Sequence, residues 1–294
     1  PWTASIDESA QDLLYMPFWE WQMDFMQEHL TNLQVLPCTN GETDFGYNEN
    51  TEKKARIVNL CFASDEYKKI RMTYYDAGDA TQVFNAVWYP HDDKNLPVLG
   101  VDLLVFHRKK YLAIVDFQPL YENDDEHAEG YDSKALLEPI QFKYPSLQGQ
   151  MSSRFYDETK FFSKNMLFAR FEEGNVVDEE LYPAFQDYVQ EHVKLVQSTP
   201  SSDATVSSQV AERYQAYDTY SAERDPATRF FAAMFGDEWA QDYVHDFLFD
   251  SAERREPEAA EVEQPVQKQH VPAKEVKPVM PPSSVQPKVA FVAR

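Results

Sequence analysis

The feature that most constrains how this chain folds is a run of almost purely apolar residues at 98–106. The segments on either side, 82–89 and 111–117, are rich in β-branched and aromatic residues, which favour β-strands. Short polar segments at 90–97 and 107–110 separate these runs and favour turns. Because short turns connect antiparallel neighbours, the sequence predicts three adjacent strands of one antiparallel sheet.

One residue interrupts the apolar run. Asp102 has Val101 and Leu103 as its direct neighbours in the predicted strand. A carboxylate in a buried strand loses hydration, and this loss favours its protonated form. Such a group can donate a proton near neutral pH. The alternative is a structural aspartate that accepts hydrogen bonds from backbone N–H groups near a strand end, and the pattern alone leaves both interpretations open.

The composition indicates a large aromatic core and argues against nucleic acid as a partner. The chain has 294 residues, of which 20 are Phe, 17 are Tyr and 5 are Trp. This surplus suits a pocket for a flat, conjugated ligand, although an aromatic core is the commoner explanation. The net charge of −23 argues against a phosphate-binding surface, because such a surface needs clustered Lys and Arg.

Local basic clusters nonetheless occur at 53–56, 68–71 and 107–110. On an acidic protein they can dock a small acidic partner by local charge complementarity. Solvated turns and strand edges are the commoner explanation for such clusters, and we expect them here. The cysteines, Cys38 and Cys61, have no metal-ligand spacing and form no disulfide framework, although a single disulfide between them stays open.

The sequence contains none of the common catalytic motifs. There is no Gly-rich phosphate loop, CxxC pair, HExxH or GxSxG, so no nucleotide, flavin, iron–sulfur or metal motif is present. There is also no apolar run of about 18 residues of the kind that spans a membrane. Because the sequence starts with Pro1 rather than Met, we expect a mature or trimmed form.

Helical and strand patterns flank the central region. Periodic apolar residues predict helices at 2–32, 132–142, 178–196, 209–223, 227–235 and 238–249. Alternating patterns predict further strands at 56–63 and 68–75. From residue 251 onward the chain is rich in Pro, Glu and Lys. The sequence therefore predicts one domain at 1–250 followed by a disordered tail at 251–294.

Several segments, in a fixed order, resemble the ferredoxin-dependent bilin reductases. They are LPVLGVD at 96–102, DFQPL at 116–120, the apolar run at 161–170, YSAERDPA at 220–227, FG at 235–236, EW at 238–239 and FLF at 247–249. The resemblance covers residues 18–250 and leaves out the tail. It implies an α/β fold of the α+β type. This fold is an α/β/α sandwich with a central antiparallel sheet flanked by helices, and the pigment lies between the sheet and the C-terminal helices.

The resemblance also implies how such a protein works. Its substrate is biliverdin IXα, it binds no cofactor of its own, and reduced ferredoxin delivers electrons one at a time to the bilin. The implied protein is a monomer, and transfer of its product to the next bilin reductase is left open. Ferredoxin and bilins meet in plastids or in cyanobacterial cytoplasm. The start at Pro1 and the tail favour the plastid stroma.

The resemblance assigns candidate roles to individual residues. A tetrapyrrole that has gained an electron is stabilised by protonation, so the site needs a placed acid, little water and cations for the propionates. Asp102 is the predicted proton donor. Asp225 is a second candidate, although its place before Pro226 is equally typical of a helix N-cap. The predicted substrate-binding residues are Asn85, Gln118, Ser163, Lys164 and Arg170, of which Arg170 best matches a propionate carboxylate. Asn85 is expected to hydrogen-bond either the ligand or Asp102.

Within the family, the resemblance is closest to the branch that reduces the C15=C16 methine bridge of biliverdin to give 15,16-dihydrobiliverdin. The phycocyanobilin-forming branch has His at the position of Asn85 and Glu near Thr73, and this sequence has neither. The phycoerythrobilin-forming branches also lack that His and are the first alternative. Further alternatives are a non-catalytic bilin carrier and an α+β domain that binds proteins through its tail.

Overall fold

The centre of the fold is an eight-stranded sheet in which all pairings between named strands are antiparallel. The computed structural model describes residues 4–122, 131–149 and 160–253. The strands are β1 (Gln34–Leu36), β2 (Tyr47–Asn50), β3 (Ala55–Ala63), β4 (Tyr67–Ala77), β5 (Thr81–Pro90), β6 (Val98–Phe106), β7 (Lys110–Gln118) and β8 (Leu167–Phe171). Their order is β1-β3-β4-β5-β6-β7-β8, and β2 also pairs with β3.

The three predicted central strands are confirmed as β5, β6 and β7. The strand β6 has the predicted bounds, Val98–Phe106. Strand pairing places Asn85 opposite Asp102, and Asp102 opposite Ile114. Residues that lie directly opposite each other project from the same face of a sheet, so these side chains share one face.

The helices lie on both faces of this sheet. They are α1 (Met16–His29), α2 (Ser133–Gln141), α3 (Tyr182–Ser198), α4 (Ala204–Arg224), α5 (Ala227–Phe235) and α6 (Asp237–Asp242). Short 3-10 turns occur at Asp92–Lys94 and Pro145–Leu147. A π-helical segment at Val177–Leu181 precedes α3, and another at Tyr243–Leu248 follows α6.

One face of the sheet packs against α1 and α3. The Phe84 ring of β5 lies 6.4 Å from the Phe18 ring of α1 and 5.9 Å from the Phe185 ring of α3, measured between ring centroids. All three side chains are buried. Burying an apolar side chain of this size contributes about 1.5–3 kcal/mol, so this layer supplies much of the stability of the fold.

A buried histidine fastens α3 to this face. The Nε2 of His192 is 3.0 Å from the Pro97 carbonyl oxygen, and its Nδ1 is 2.9 Å from the Tyr67 hydroxyl. Loss of hydration on burial lowers the pKa of His192 to about 4, so the ring is neutral at pH 7. Because a carbonyl only accepts, Nε2 carries the proton and Nδ1 accepts from Tyr67.

The opposite face of the sheet packs against the C-terminal helices in two apolar clusters. In the first, the Tyr75 ring of β4 lies 5.9 Å from the Phe231 ring of α5. In the second, the Tyr89 ring of β5 lies 5.7 Å from the Tyr214 ring and 6.3 Å from the Tyr217 ring of α4. Helices on both faces of an antiparallel sheet make the predicted α/β/α sandwich of the α+β type.

The first predicted helix is wrong in its N-terminal half. Among the described residues, the helix α1 begins only at Met16, directly before Pro17. The segment from residue 4 to residue 15 follows turns instead. There the Ile6 N–H donates to the buried Asp76 carboxylate at 2.8 Å, so the segment is held on the sheet by polar contacts rather than by helix periodicity.

The helix α4 starts earlier than predicted. It begins at Ala204 rather than at residue 209, because Asp203 caps it. The Asp203 Oδ1 accepts from the backbone N–H groups of Thr205 at 2.9 Å and Val206 at 3.0 Å. These bonds satisfy N–H groups that the first turn of a helix leaves without partners. The Ser-rich composition before residue 209 obscured this start.

The described residues lie within one compact unit, Pro1–Arg254. The predicted tail lies outside the described residues from residue 254 onward. The side chains of Cys38 and Cys61 are free thiols. In the part of the chain that the structure describes, no helix is both long enough and apolar enough to cross a membrane.

Candidate active site

Asp102 lies in the middle strand of the predicted region, on the face that the C-terminal helices cover. Its side chain is partly buried, and its Oδ1 accepts a hydrogen bond from Asn85 Nδ2 at 3.1 Å. Strand pairing creates this contact because it places the two residues opposite each other on β5 and β6. Among the described residues, the donor to Asp102 is this side-chain amide, whereas the structural interpretation of Asp102 required backbone N–H donors.

The environment of Asp102 favours the protonated carboxyl. Loss of hydration raises its pKa to about 7, and the negative charge of Asp225 adds to this rise. The hydrogen bond from Asn85 and the positive charge of Arg71 act in the opposite direction. Both the acid and the carboxylate are therefore accessible near neutral pH, which suits a residue that gives up a proton and recovers it.

Arg71 is the residue at this site that the sequence analysis missed. Its side chain is 1% exposed, and its Nη1 donates to Asn85 Oδ1 at 2.8 Å and to Thr73 Oγ1 at 3.3 Å. The expectation that the cluster at 68–71 is solvated is therefore wrong for Arg71. It is also wrong for Arg56, which is 7% exposed and pairs with Asp76 at 3.0 Å.

A usable signal for Arg71 was present in the strand alternation. In β4 the apolar Ile70 and Met72 point to the main core, so Arg71 and Thr73 must point to the opposite face. The run of neighbouring charges concealed this alternation.

Polar contacts continue from Arg71 across the sheet to the C-terminal π-helical segment. Thr73 Oγ1 donates to Asn59 Oδ1 at 2.6 Å, and the Tyr243 hydroxyl donates to the same oxygen at 2.8 Å. Asn59 Nδ2 in turn donates to the Phe45 carbonyl at 2.6 Å. The side chains from Asp102 to Tyr243 thus form one chain of hydrogen bonds across β6, β5, β4 and β3.

Asp225 lies between α4 and α5, on the helical side of the site. Its Oδ1 accepts from the Ala227 N–H at 2.8 Å, so it does cap the start of α5. Its charge nevertheless acts on Asp102, and loss of hydration raises the pKa of Asp225 as well. The Ala227 N–H and Arg71 counter that rise. The bond from Ala227 N–H agrees with the helix-capping interpretation of Asp225, and its role as a second proton donor stays a prediction.

Apolar side chains flank Asp102 on the same face of the sheet. Ile114 lies opposite it on β7, Leu104 is two residues away on β6, and Leu112 precedes Ile114 on the same face. All three are only partly buried and belong to none of the buried clusters of the described chain. A partly exposed apolar strip around a central carboxyl is typical of a site for a large, flat organic ligand.

Gln118 is held over a glycine. Its Oε1 accepts from the Tyr217 hydroxyl of α4. A Cβ atom at Gly100 would lie only 2.5 Å from this Oε1, so the side chain crosses β6 through the space that Gly100 leaves. Gln118 therefore bridges the sheet and α4 beside the site.

The remaining predicted residues lie outside this central group. Ser163 is buried and donates from its backbone N–H to Asp116 Oδ2 at 2.8 Å, so it holds a buried carboxylate of β7. Lys164 is exposed. Arg170 is exposed on β8, opposite Leu112, and its guanidinium lies 5.4 Å from the Phe168 ring centroid.

The described residues show no group of three or more His, Cys, Asp or Glu side chains arranged to hold a metal ion.

The family model described as ferredoxin-dependent bilin reductase matches residues 24–250. The chain belongs to this family.

Curated relatives of this bilin reductase share about a third of its residues. One from Nostoc punctiforme is 35% identical over 243 residues, covering 81% of this chain and 96% of the relative. One from Gloeobacter violaceus is 35% identical over 240 residues, with 81% and 96% covered. Both are named 15,16-dihydrobiliverdin:ferredoxin oxidoreductase.

A solved structure has the same fold as this bilin reductase. It is phytochromobilin synthase from tomato in complex with biliverdin, with a TM-score of 0.70 and 21% sequence identity. The match covers 81% of this chain and 83% of that chain. Since the identity is this low, the likeness supports the fold and nothing more.

Proposed function

We propose that this bilin reductase reduces biliverdin IXα at the C15=C16 methine bridge to 15,16-dihydrobiliverdin, with reduced ferredoxin as the electron donor. The names of the relatives in Nostoc punctiforme and Gloeobacter violaceus support the substrate and the bond that is reduced. The observation that carries the chemistry is the position of Asp102, a partly buried acid amid partly exposed apolar side chains on the face of the sheet toward the C-terminal helices.

The proposed reaction adds two electrons and two protons across one double bond. Ferredoxin supplies the electrons one at a time, and each added electron makes the conjugated system more basic. Asp102 gives a proton to the reduced pigment and regains one from solvent. Its pKa of about 7 suits both halves of this cycle, because the acid and carboxylate forms are both available near neutral pH.

The proposed site places the pigment against the apolar strip formed by Leu104, Leu112 and Ile114, so that its methine bridges cross Asp102. Asn85, which donates to Asp102, holds the carboxyl in one orientation. In this proposal Asp225 faces the pigment from the helical side as the second carboxyl, and the effect of its charge on Asp102 supports a role in the second protonation.

The proposed binding of the propionates uses exposed cations. Arg170 lies at the edge of the apolar strip, opposite Leu112, and its planar guanidinium matches a carboxylate. Lys164 is a second exposed cation in the segment before β8. Gln118 lies beside the site and is available to a pyrrole or lactam group, whereas Ser163 supports the site through Asp116.

The test is anaerobic incubation of the protein with biliverdin IXα, ferredoxin and an electron source, followed by chromatography of the bilins. We expect 15,16-dihydrobiliverdin to accumulate, with no product when ferredoxin is omitted. Phycoerythrobilin as the product would replace this proposal by a four-electron reductase. Binding of biliverdin without turnover would instead indicate a bilin carrier.

A further inference from the structure

Arg71 is a buried cation that contacts no carboxylate of the described residues. Its side chain is 1% exposed, and its Nε has no hydrogen-bond partner among the described residues. Its contacts are the neutral oxygens of Asn85 and Thr73. No carboxylate of the described residues lies within 4.0 Å of this guanidinium.

An arrangement of this kind is costly for the folded protein. Burying a charge without an ion pair destabilises the folded state unless other groups compensate. By contrast, Arg56, which is also buried, is paired with the Asp76 carboxylate at 3.0 Å. The chain therefore places at its site a cation that would be cheaper to pair or to replace by an apolar side chain.

The hydrogen bonds of Arg71 fix the orientation of Asn85. An asparagine amide has one accepting end and one donating end, and a guanidinium only donates. The Asn85 oxygen must therefore face Arg71, at 2.8 Å, and the Asn85 nitrogen then faces Asp102, at 3.1 Å. If the amide were reversed, its oxygen would face Asp102, and only a protonated Asp102 could make that contact.

We propose that Arg71 is a positioning residue for the proton donor: it orients Asn85 toward Asp102 and provides the buried positive charge that balances the Asp102 carboxylate after proton release. The effect of Arg71 on the ionisation of Asp102 is a property of the protein without bound substrate. The consequence of this effect for turnover rests on the proposed function.

Few other charged groups face Asp102. Arg71 acts on it from β4, and Asp225 acts on it from the junction of α4 and α5. Asn85 of β5 and Ile114 of β7 are its neutral neighbours in the sheet. From the segment before α1, the buried Tyr15 is influenced by the charge of Asp102, and loss of hydration is the main cause that raises the pKa of this tyrosine. Removing Arg71 therefore leaves Asp225, a like charge, as the main ionised neighbour.

The test is a pH titration of the Asp102 carboxyl in the ligand-free protein by infrared difference spectroscopy. The band of Asp102 is identified by its loss in Asp102→Asn. We expect Arg71→Leu to move the titration midpoint upward by on the order of one pH unit, because an opposite charge and an ordered donor are both lost. Arg71→Lys keeps the positive charge, so its midpoint should rise by less than that of Arg71→Leu.

Two further variants distinguish loss of the Arg71–Asn85 contact from a nonspecific structural effect of the substitution. Thr73→Val removes the other contact of the guanidinium but leaves the bond between Asn85 and Asp102, so the midpoint should stay at its wild-type value. Asn85→Leu removes the amide that links Arg71 to Asp102. In that background, the further change Arg71→Leu should shift the midpoint by less than Arg71→Leu does in the wild-type protein. If Arg71→Leu does not fold, Arg71→Gln and Asn85→Leu give the same comparison.

A midpoint that does not move in folded Arg71→Leu or Arg71→Gln protein would overturn the proposal. The same holds if Thr73→Val shifts the midpoint as much as Arg71→Leu. This titration uses no substrate, so a different reduction product would refute the proposed function and leave this result intact. With turnover established, the alkaline limb of the pH–rate profile should move upward with the titration midpoint.

Discussion

At the scale of single residues, Asp102 shows how a position in a strand alters an ordinary carboxyl. Loss of hydration raises its pKa to about 7, and a hydrogen bond from Asn85 stabilises the charged form directly. The same chemical group at Asp203 is exposed and caps a helix. The two aspartates differ in their surroundings and not in their side chains. The proposed role of Asp102 therefore depends on its burial on one face of the sheet.

We expect Asp102→Asn to lower the rate of biliverdin reduction by about 10²- to 10⁴-fold, the usual contribution of a placed general acid. The amide keeps the shape and still accepts from Asn85, so the pigment should bind with an unchanged visible spectrum. Steady-state rates and absorption titrations measure the two effects. Turnover at the wild-type rate would remove Asp102 from the mechanism.

The raised pKa of Asp102 also predicts a change in stability with pH. Because the folded protein holds this proton up to about pH 7 and the unfolded chain releases it near 3.8, the free energy of unfolding contributed by Asp102 falls as pH rises between these values. Asp102→Asn should therefore stabilise the protein more at pH 8 than at pH 5. Urea unfolding of both proteins at both pH values measures this, and an equal effect at both would contradict it.

At the scale of elements, the helix α3 depends on a neutral histidine. His192 links the Pro97 carbonyl before β6 with the Tyr67 hydroxyl of β4. Since both partners are buried, they have no water to replace the ring if it is removed. The two hydrogen bonds of His192 thus fix the orientation of α3, which apolar contacts hold on the sheet.

We expect His192→Phe to destabilise the protein by about 1–3 kcal/mol for each partner left without a hydrogen bond, although the ring volume is similar. Wild-type stability should fall as pH drops from 6.5 through 4, because the unfolded chain gains a proton that folded His192 takes up only near 4. His192→Phe should lack this component. Tyr67→Phe is the matched control, since it removes one bond and leaves a titratable ring in place.

At the scale of the whole molecule, net charge opposes folding. The chain carries −23 at pH 7, and such an excess of one sign destabilises a compact state by self-repulsion. Ion pairs in the described part of the chain, such as Arg56 with Asp76, relieve this only locally. The stability of the folded state should therefore depend on the salt concentration.

We expect the midpoint of thermal unfolding to rise by a few degrees between about 0.01 M and 0.5 M NaCl at pH 7, because salt shortens the range of the repulsion. The rise should be smaller at pH 5, where part of the negative charge is neutralised. Calorimetry at the two pH values measures this. A midpoint that falls with salt would show that attractive ion pairs outweigh the net charge.

Much of the fold was predictable because the patterns that specify strands are local. The alternation and apolar runs of β3 to β7 gave their positions within a few residues, since burial on one face requires every second residue to be apolar. Helix starts were harder. Asp203 and Pro17 act through single bonds or single dihedral angles, which a periodic pattern does not record.

The site was predictable only in part. Asp102 was identified from its own neighbours, because a charge inside an apolar strand is a local anomaly. Arg71 was missed since adjacent lysines gave it the pattern of a surface cluster, although its side chain is buried. Gln118 was predicted, but its support by Tyr217 depends on the space over Gly100, which only strand pairing and helix docking define.

The sequence by itself determined which segments become strands, where the core lies and that one carboxyl would be out of place, because each follows from hydrophobicity over a few neighbouring residues. Only the tertiary structure decided that Arg71 contacts Asn85, which donates to Asp102, so that three strands contribute to the site, and that the charge of Asp225 acts on Asp102. These encounters depend on strand register and on the docking of distant elements. Electrostatic interactions change with distances of a few ångströms, which sequence spacing does not specify.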